Sequence, residues 1–68
     1  MKANRRKVEL IMAIACLNTS ILAKLTGMPR MTVYNVISGR GVTTVSMGKV
    51  AKALGVSVED ILEEDESE

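Results

Sequence analysis

Phenylalanine, tryptophan and histidine are absent from this 68-residue chain, and Tyr34 is its only aromatic residue. Without large rings, the core must be built from Val, Ile, Leu, Met and Ala. Without histidine, the commonest general base and metal ligand are missing. A single cysteine, Cys16, excludes an internal disulfide and fits a reducing, cytoplasmic compartment. Cys16 has no histidine to activate it as a nucleophile and is expected to fill a small apolar site. No glycine-rich loop could cradle a phosphate, and the only clustered carboxylates lie at the acidic end of the chain. These absences argue against an enzyme, and no cofactor, metal or small-molecule ligand is expected.

Long hydrophobic runs are also missing. The longest, Val8–Leu17, contains Glu9 and is too short to span a bilayer. Lys2, Arg5, Arg6 and Lys7 precede it, as in a secretory signal, but a folded domain follows at once with no linker. It reads as a first helix, and no membrane association is expected. A chain of this length allows one domain and buries only roughly 60% of its unfolded surface.

Acidic residues are almost absent from most of the chain. Residues 1–58 hold all nine Lys and Arg against the single acid Glu9, a net +8. Residues 59–68 hold seven acids and no base, a net −7. The body therefore carries the electrostatic footprint of a nucleic-acid binder, although a solvated basic surface gives the same count. The division expected is a domain over 1–62 and an acidic, disordered tail over 63–68.

What is present is a series of short helical segments. Asn18 is a good N-cap for Thr19–Thr26, which carries Leu22, small Ala23 and Leu25. Gly27-Met28 turns the chain, Pro29 suits the first turn of a new helix, and Gly39 stops that helix after Ser38. Within Pro29–Ser38, Val33, Val36 and Ile37 share one side, while Met31, Tyr34, Asn35 and Ser38 share the other. Two short helices crossing at a small residue form a helix-turn-helix.

The flanking segments complete the count. A first helix from Asn4 or Arg5 to Cys16 places Val8, Ile11, Met12 and Ala15 on a core face. Leu10, Ala13 and Ile14 then lie opposite, more apolar surface than a small core needs. This surface fits a dimer interface, a missing partner, or a tolerated apolar patch. Thr43 or Thr44 caps a fourth helix with Met47, Val50, Ala51 and Leu54 inward. Gly55 ends it, and Ser57 with Asp60 forms a capping box for a fifth, anchored by Val58, Ile61 and Leu62. The expected fold is all-α, a compact bundle of about five short helices.

Leu17-Asn18, Leu22-Ala23, Gly27, Arg30, Thr32-Val33, Val36, Gly39 and the run Lys49–Ser57 fall in an order that resembles the Cro/repressor-type helix-turn-helix family of phage and bacterial regulators. The resemblance spans about residues 5–62 and implies a lambda-repressor-like DNA-binding domain. Two departures stand out. Gly48 occupies a position where the family usually has a larger apolar residue, marking either a close backbone contact or a shifted register. The linker Arg40–Thr44 is about one residue shorter than usual.

The residue types of the third helix suit base reading. Arg30 can bond guanine O6 and N7 together, Met31 can touch a thymine methyl, and Asn35 can pair with adenine. Tyr34 and Thr32 flank this stripe and can reach a base edge or a phosphate. The resemblance adds Thr19, Ser38, Arg40, Thr43 and Thr44 as contacts to the DNA backbone. Thr19 stands where the family often has glutamine, so it can bond a phosphate but not reach a base. Arg5-Arg6-Lys7 and Lys24 can add nonspecific attraction.

The function expected is a sequence-specific regulator, a repressor acting on double-stranded operator DNA as a homodimer. Its dimer surface is either Leu10 and Ile14 or, as is common in the family, the fifth helix with Val58 and Leu62. The competing expectation is a helical protein-interaction module whose apolar first helix binds a partner and whose DNA function is lost or secondary.

Overall fold

The computed structural model describes residues 1–63. The expected disorder of the acidic tail lies outside the described residues, Glu63 excepted. Five helices follow in order: α1 (Arg5–Ala15), α2 (Thr19–Thr26), α3 (Arg30–Ile37), α4 (Thr44–Leu54) and α5 (Val58–Ile61). Among the described residues there is no strand, only an isolated antiparallel bridge between Ala3 and Leu62.

Local chemistry sets most boundaries. Asn4 caps α1 by accepting from the Lys7 N–H at 3.1 Å, and Asn18 caps α2 by accepting from the Ile21 N–H at 2.8 Å. Thr43 does the same for α4 through the Ser46 N–H at 3.2 Å. The Ser57–Asp60 capping box opens α5. These contacts satisfy amides that a helix cannot bond internally.

The end of α1 departs from expectation. The Cys16 N–H donates to the Ala13 carbonyl at 3.2 Å and the Leu17 N–H to the Met12 carbonyl at 2.9 Å. This is a Schellman turn with Cys16 in the left-handed region at φ 59°. It leaves Cys16 exposed, so the thiol does not fill an apolar site. Ala15 is exposed too, because the turn brings Leu17, not Ala15, against the core.

A second correction concerns Pro29. It is the N-cap of α3, with ψ 148°, not a residue of its first turn. Ser38 is likewise the C-cap, so α3 is shorter than Pro29–Ser38. Proline fixes φ but leaves ψ free, and here ψ stays extended.

α4 organises the core and packs against the other four helices. Its Met47, Val50, Ala51 and Leu54 are buried, as their spacing predicts. Val8 and Met12 of α1, Leu22 of α2, Val33, Val36 and Ile37 of α3, and Ile61 of α5 meet them. Each large side chain contributes about 1.5–3 kcal/mol on full burial. Gly48 is interior to α4, yet, its chain neighbours and own helical backbone aside, no heavy atom lies within 4 Å of where its Cβ would stand. A close backbone contact therefore does not explain it, and α4 buries the positions its spacing predicts.

One element had no counterpart in the sequence reading. Met1–Asn4 runs between the α3–α4 loop and the end of α5. The Val42 N–H donates to the Met1 carbonyl at 2.7 Å, and the Glu63 N–H to the Lys2 carbonyl at 2.9 Å. The Asn4 N–H donates to the Ile61 carbonyl at 2.6 Å. Ala3, between these pairs, is only 2% exposed.

Candidate nucleic-acid interface

α3 is held by its apolar back. Val33 and Val36 are fully buried and Ile37 nearly so, which fixes the rotation of the helix. The opposite side then faces water: Met31 is 69% exposed and Tyr34 52%. Exposing two large side chains on an eight-residue helix is unfavourable unless something covers them.

Arg30, Met31 and Tyr34 line one open groove with Thr19, the first residue of α2. The crossing of α2 and α3 thus brings together four of the expected contact residues. A second groove adjoins the first at Thr19 and Tyr34 and reaches Glu9, Ala13 and Leu17. Asn35 and Thr32 are half-buried and line neither groove. No side-chain cap bonds the first amides of α3, so its N-terminus is open beside Arg30.

The loop after α3 is built by backbone bonds. The Gly39 N–H donates to the Val36 carbonyl at 3.2 Å and the Arg40 N–H to the Asn35 carbonyl at 3.0 Å. Gly39 adopts φ +86°, which an L side chain rarely tolerates. Arg40 and Thr44 are exposed. Ser38 and Thr43 are less available. The Ser38 hydroxyl donates to the Asn35 carbonyl at 3.2 Å, and the Thr43 hydroxyl caps α4 while donating to Ser46 Oγ at 3.2 Å.

Charge favours an anion here. Arg5 and Glu9 form an ion pair at 3.1 Å, and both partners are largely exposed. Such a pair contributes little to stability, but it offsets the single acid of the basic body. No described acid pairs with Arg30 or Arg40.

Leu10 and Ile14 are 61% and 74% exposed, on the side of α1 away from the core. Val58 and Leu62 are half-buried and pack against the core. Leu25 on α2, counted with apolar Leu22 and Ala23 in the sequence, is 59% exposed, and Ile21 on α2 and Val45 on α4, 39% and 63% exposed, had no counterpart in the sequence reading. Ile21 and Leu25 lie four apart and off the Leu22 position, a spacing that could have revealed them. Among the described residues, no group of three or more Cys, Asp or Glu could hold a metal ion. No single described helix is long and apolar enough to cross a membrane.

The family model of the Cro/C1-type helix-turn-helix DNA-binding domain matches residues 7–66. Among solved structures, the chain is similar to the restriction-modification controller protein C.AhdI from Aeromonas hydrophila. The two share 28% identity with a TM-score of 0.71, over 82% of this chain and 86% of that one. Among curated proteins none matches the chain. The match covers the helix-turn-helix, the groove it forms and the helices that hold it, and the chain belongs to the family of Cro/C1-type helix-turn-helix DNA-binding domains.

Proposed function

We propose that this DNA-binding domain is a sequence-specific transcriptional regulator, a repressor that inserts α3 into the major groove of operator DNA. The observation that carries this reading is the groove of Thr19, Arg30, Met31 and Tyr34, displayed by a helix whose other side is buried. Arg30 reads guanine O6 and N7, Met31 packs on a thymine methyl, and Tyr34 and Asn35 reach neighbouring base edges. Thr19, Thr32, Arg40 and Thr44 contact phosphates, with Ser38 and Thr43 in supporting positions through their own hydrogen bonds. The likeness to a controller protein supports regulation over catalysis. Residues 1–62 act as one unit, and the acidic residues beyond serve as a charged appendage.

A single helix-turn-helix reads few base pairs, so the working form is a homodimer. Leu10 and Ile14 offer it more exposed apolar surface than Val58 and Leu62. The same two residues are the observation favouring the second reading, a protein-interaction module.

Arg30→Ala tests the first reading. It should cost about 1–3 kcal/mol of specific affinity and relax selection at one position per half-site, as read by selection from a random DNA library. Arg40→Ala should instead weaken binding to all sequences and lower the salt slope by about 1. Salt-independent binding to duplex DNA by the unmodified chain would leave only the second reading.

A further inference from the structure

We propose that Met1–Asn4 is a strap that positions the α3–α4 loop, and with it Arg40, for contact with DNA phosphate; this rests on the DNA-binding reading above. Two backbone bonds tie the strap to the loop. The Met1 carbonyl accepts from the Val42 N–H at 2.7 Å, and the Met1 amino group donates to the Val42 carbonyl at 2.8 Å. Two more tie it to the end of α5, through Lys2 with Glu63 and Asn4 with Ile61. Ala3, between them, is buried, and its carbonyl oxygen sits against Gly39, the residue before Arg40.

Besides the strap, the half-buried Val42 side chain, packed against the core, holds the loop. Its first residue, Arg40, bonds back to Asn35, and Thr43 belongs to the cap of α4. Between them Gly41 has open space around it, and the Val42 backbone is hydrogen-bonded to Met1 alone among the described residues. A guanidinium on a fixed backbone loses less freedom on meeting a phosphate than one on a loose loop. The strap supplies that fixing without touching DNA, which makes Ala3 a positioning residue.

Ala3→Gln tests this. The side chain is neutral, but it has no room at a position 2% exposed. With a random-sequence DNA duplex as the probe, affinity at low salt should fall about tenfold and the salt slope should lessen by about 1, as for loss of one charge-assisted phosphate contact. Ala3→Gly, which keeps the backbone bonds, should restore both. The double variant Ala3→Gln with Arg40→Ala should bind no more weakly than Ala3→Gln alone. Full additivity of the two losses would overturn the strap's role. Absence of salt-dependent binding in the unmodified chain would instead overturn the DNA-binding reading. Should Ala3→Gln fail to fold, amide hydrogen exchange of the unmodified chain decides. The Val42 N–H should be protected, and more so with the duplex; exchange at an open-loop rate in both states would overturn the proposal.

Discussion

The carbonyl oxygen of Ala3 lies 3.3 Å from the place where a Cβ on Gly39 would stand. The residue that follows α3 is therefore constrained twice, by its φ of +86° and by a neighbour from the far end of the sequence. A glycine just past the end of a helix accounts for the first constraint and says nothing of the second.

Gly39→Ala should lower stability by about 1–2 kcal/mol, the cost of a left-handed L residue, with a further loss if Ala3 cannot yield. Urea unfolding measures it, and an unchanged slope would locate the effect in the folded state. A loss confined to about 1–2 kcal/mol would mean that the Ala3 carbonyl yields to the added methyl, and an unchanged midpoint would mean that position 39 does not hold its left-handed conformation.

Gly48→Ala should act in the opposite direction. The site has room for a methyl group and lies inside α4. Alanine should add about 0.5–1 kcal/mol, and the melting temperature should rise by about 2–8 °C for a domain of this size. A fall in melting temperature would reveal crowding around position 48.

Leu10→Lys with Ile14→Lys should leave the fold intact, since both side chains are exposed. Sedimentation of the double variant as a monomer, against a dimeric parent, would place the interface on α1. A dimeric variant would move it to α5, with Val58 and Leu62.

Truncation after Glu63 removes Glu64, Asp65, Glu66 and Glu68. Affinity for random-sequence duplex should rise at low salt, where opposite charges act over the longest range, and converge with that of the full chain at high salt. Equal affinities at low salt would show that the acidic residues do not screen the basic body.

The parts legible in the sequence are those set by neighbours in the chain. Asn18, Thr43 and the Ser57–Asp60 pair announced three helix starts, because a cap is a contact across two or three residues. The buried faces of α3 and α4 followed from their spacing alone. The α1 terminus was misread because a left-handed cap is usually glycine, and here it is Cys16. That one turn exchanged Ala15 for Leu17 at the core. Met1–Ala3 was invisible for a different reason. Three residues carry no period, and their partners, Val42, Leu62 and Glu63, are remote in the chain. At the interface, the grouping of Thr19 with Arg30, Met31 and Tyr34 came from the helix-turn-helix pattern. The commitment of Ser38 and Thr43 to local hydrogen bonds did not, since a hydroxyl's partner depends on geometry.

The strap also orders events in time. Contacts of α2 with α3 and of α3 with α4 span short loops, whereas Met1 and Val42 are separated by 41 positions. Long-range closure brings its entropic cost early and its reward late. The α2–α4 unit should therefore assemble first and the strap zip on late, so that strengthening the strap slows unfolding without hastening folding. Brief detachment of Met1–Ala3 from an otherwise intact body would then be the lowest-energy opening of the molecule. It would release the α3–α4 loop each time it occurred.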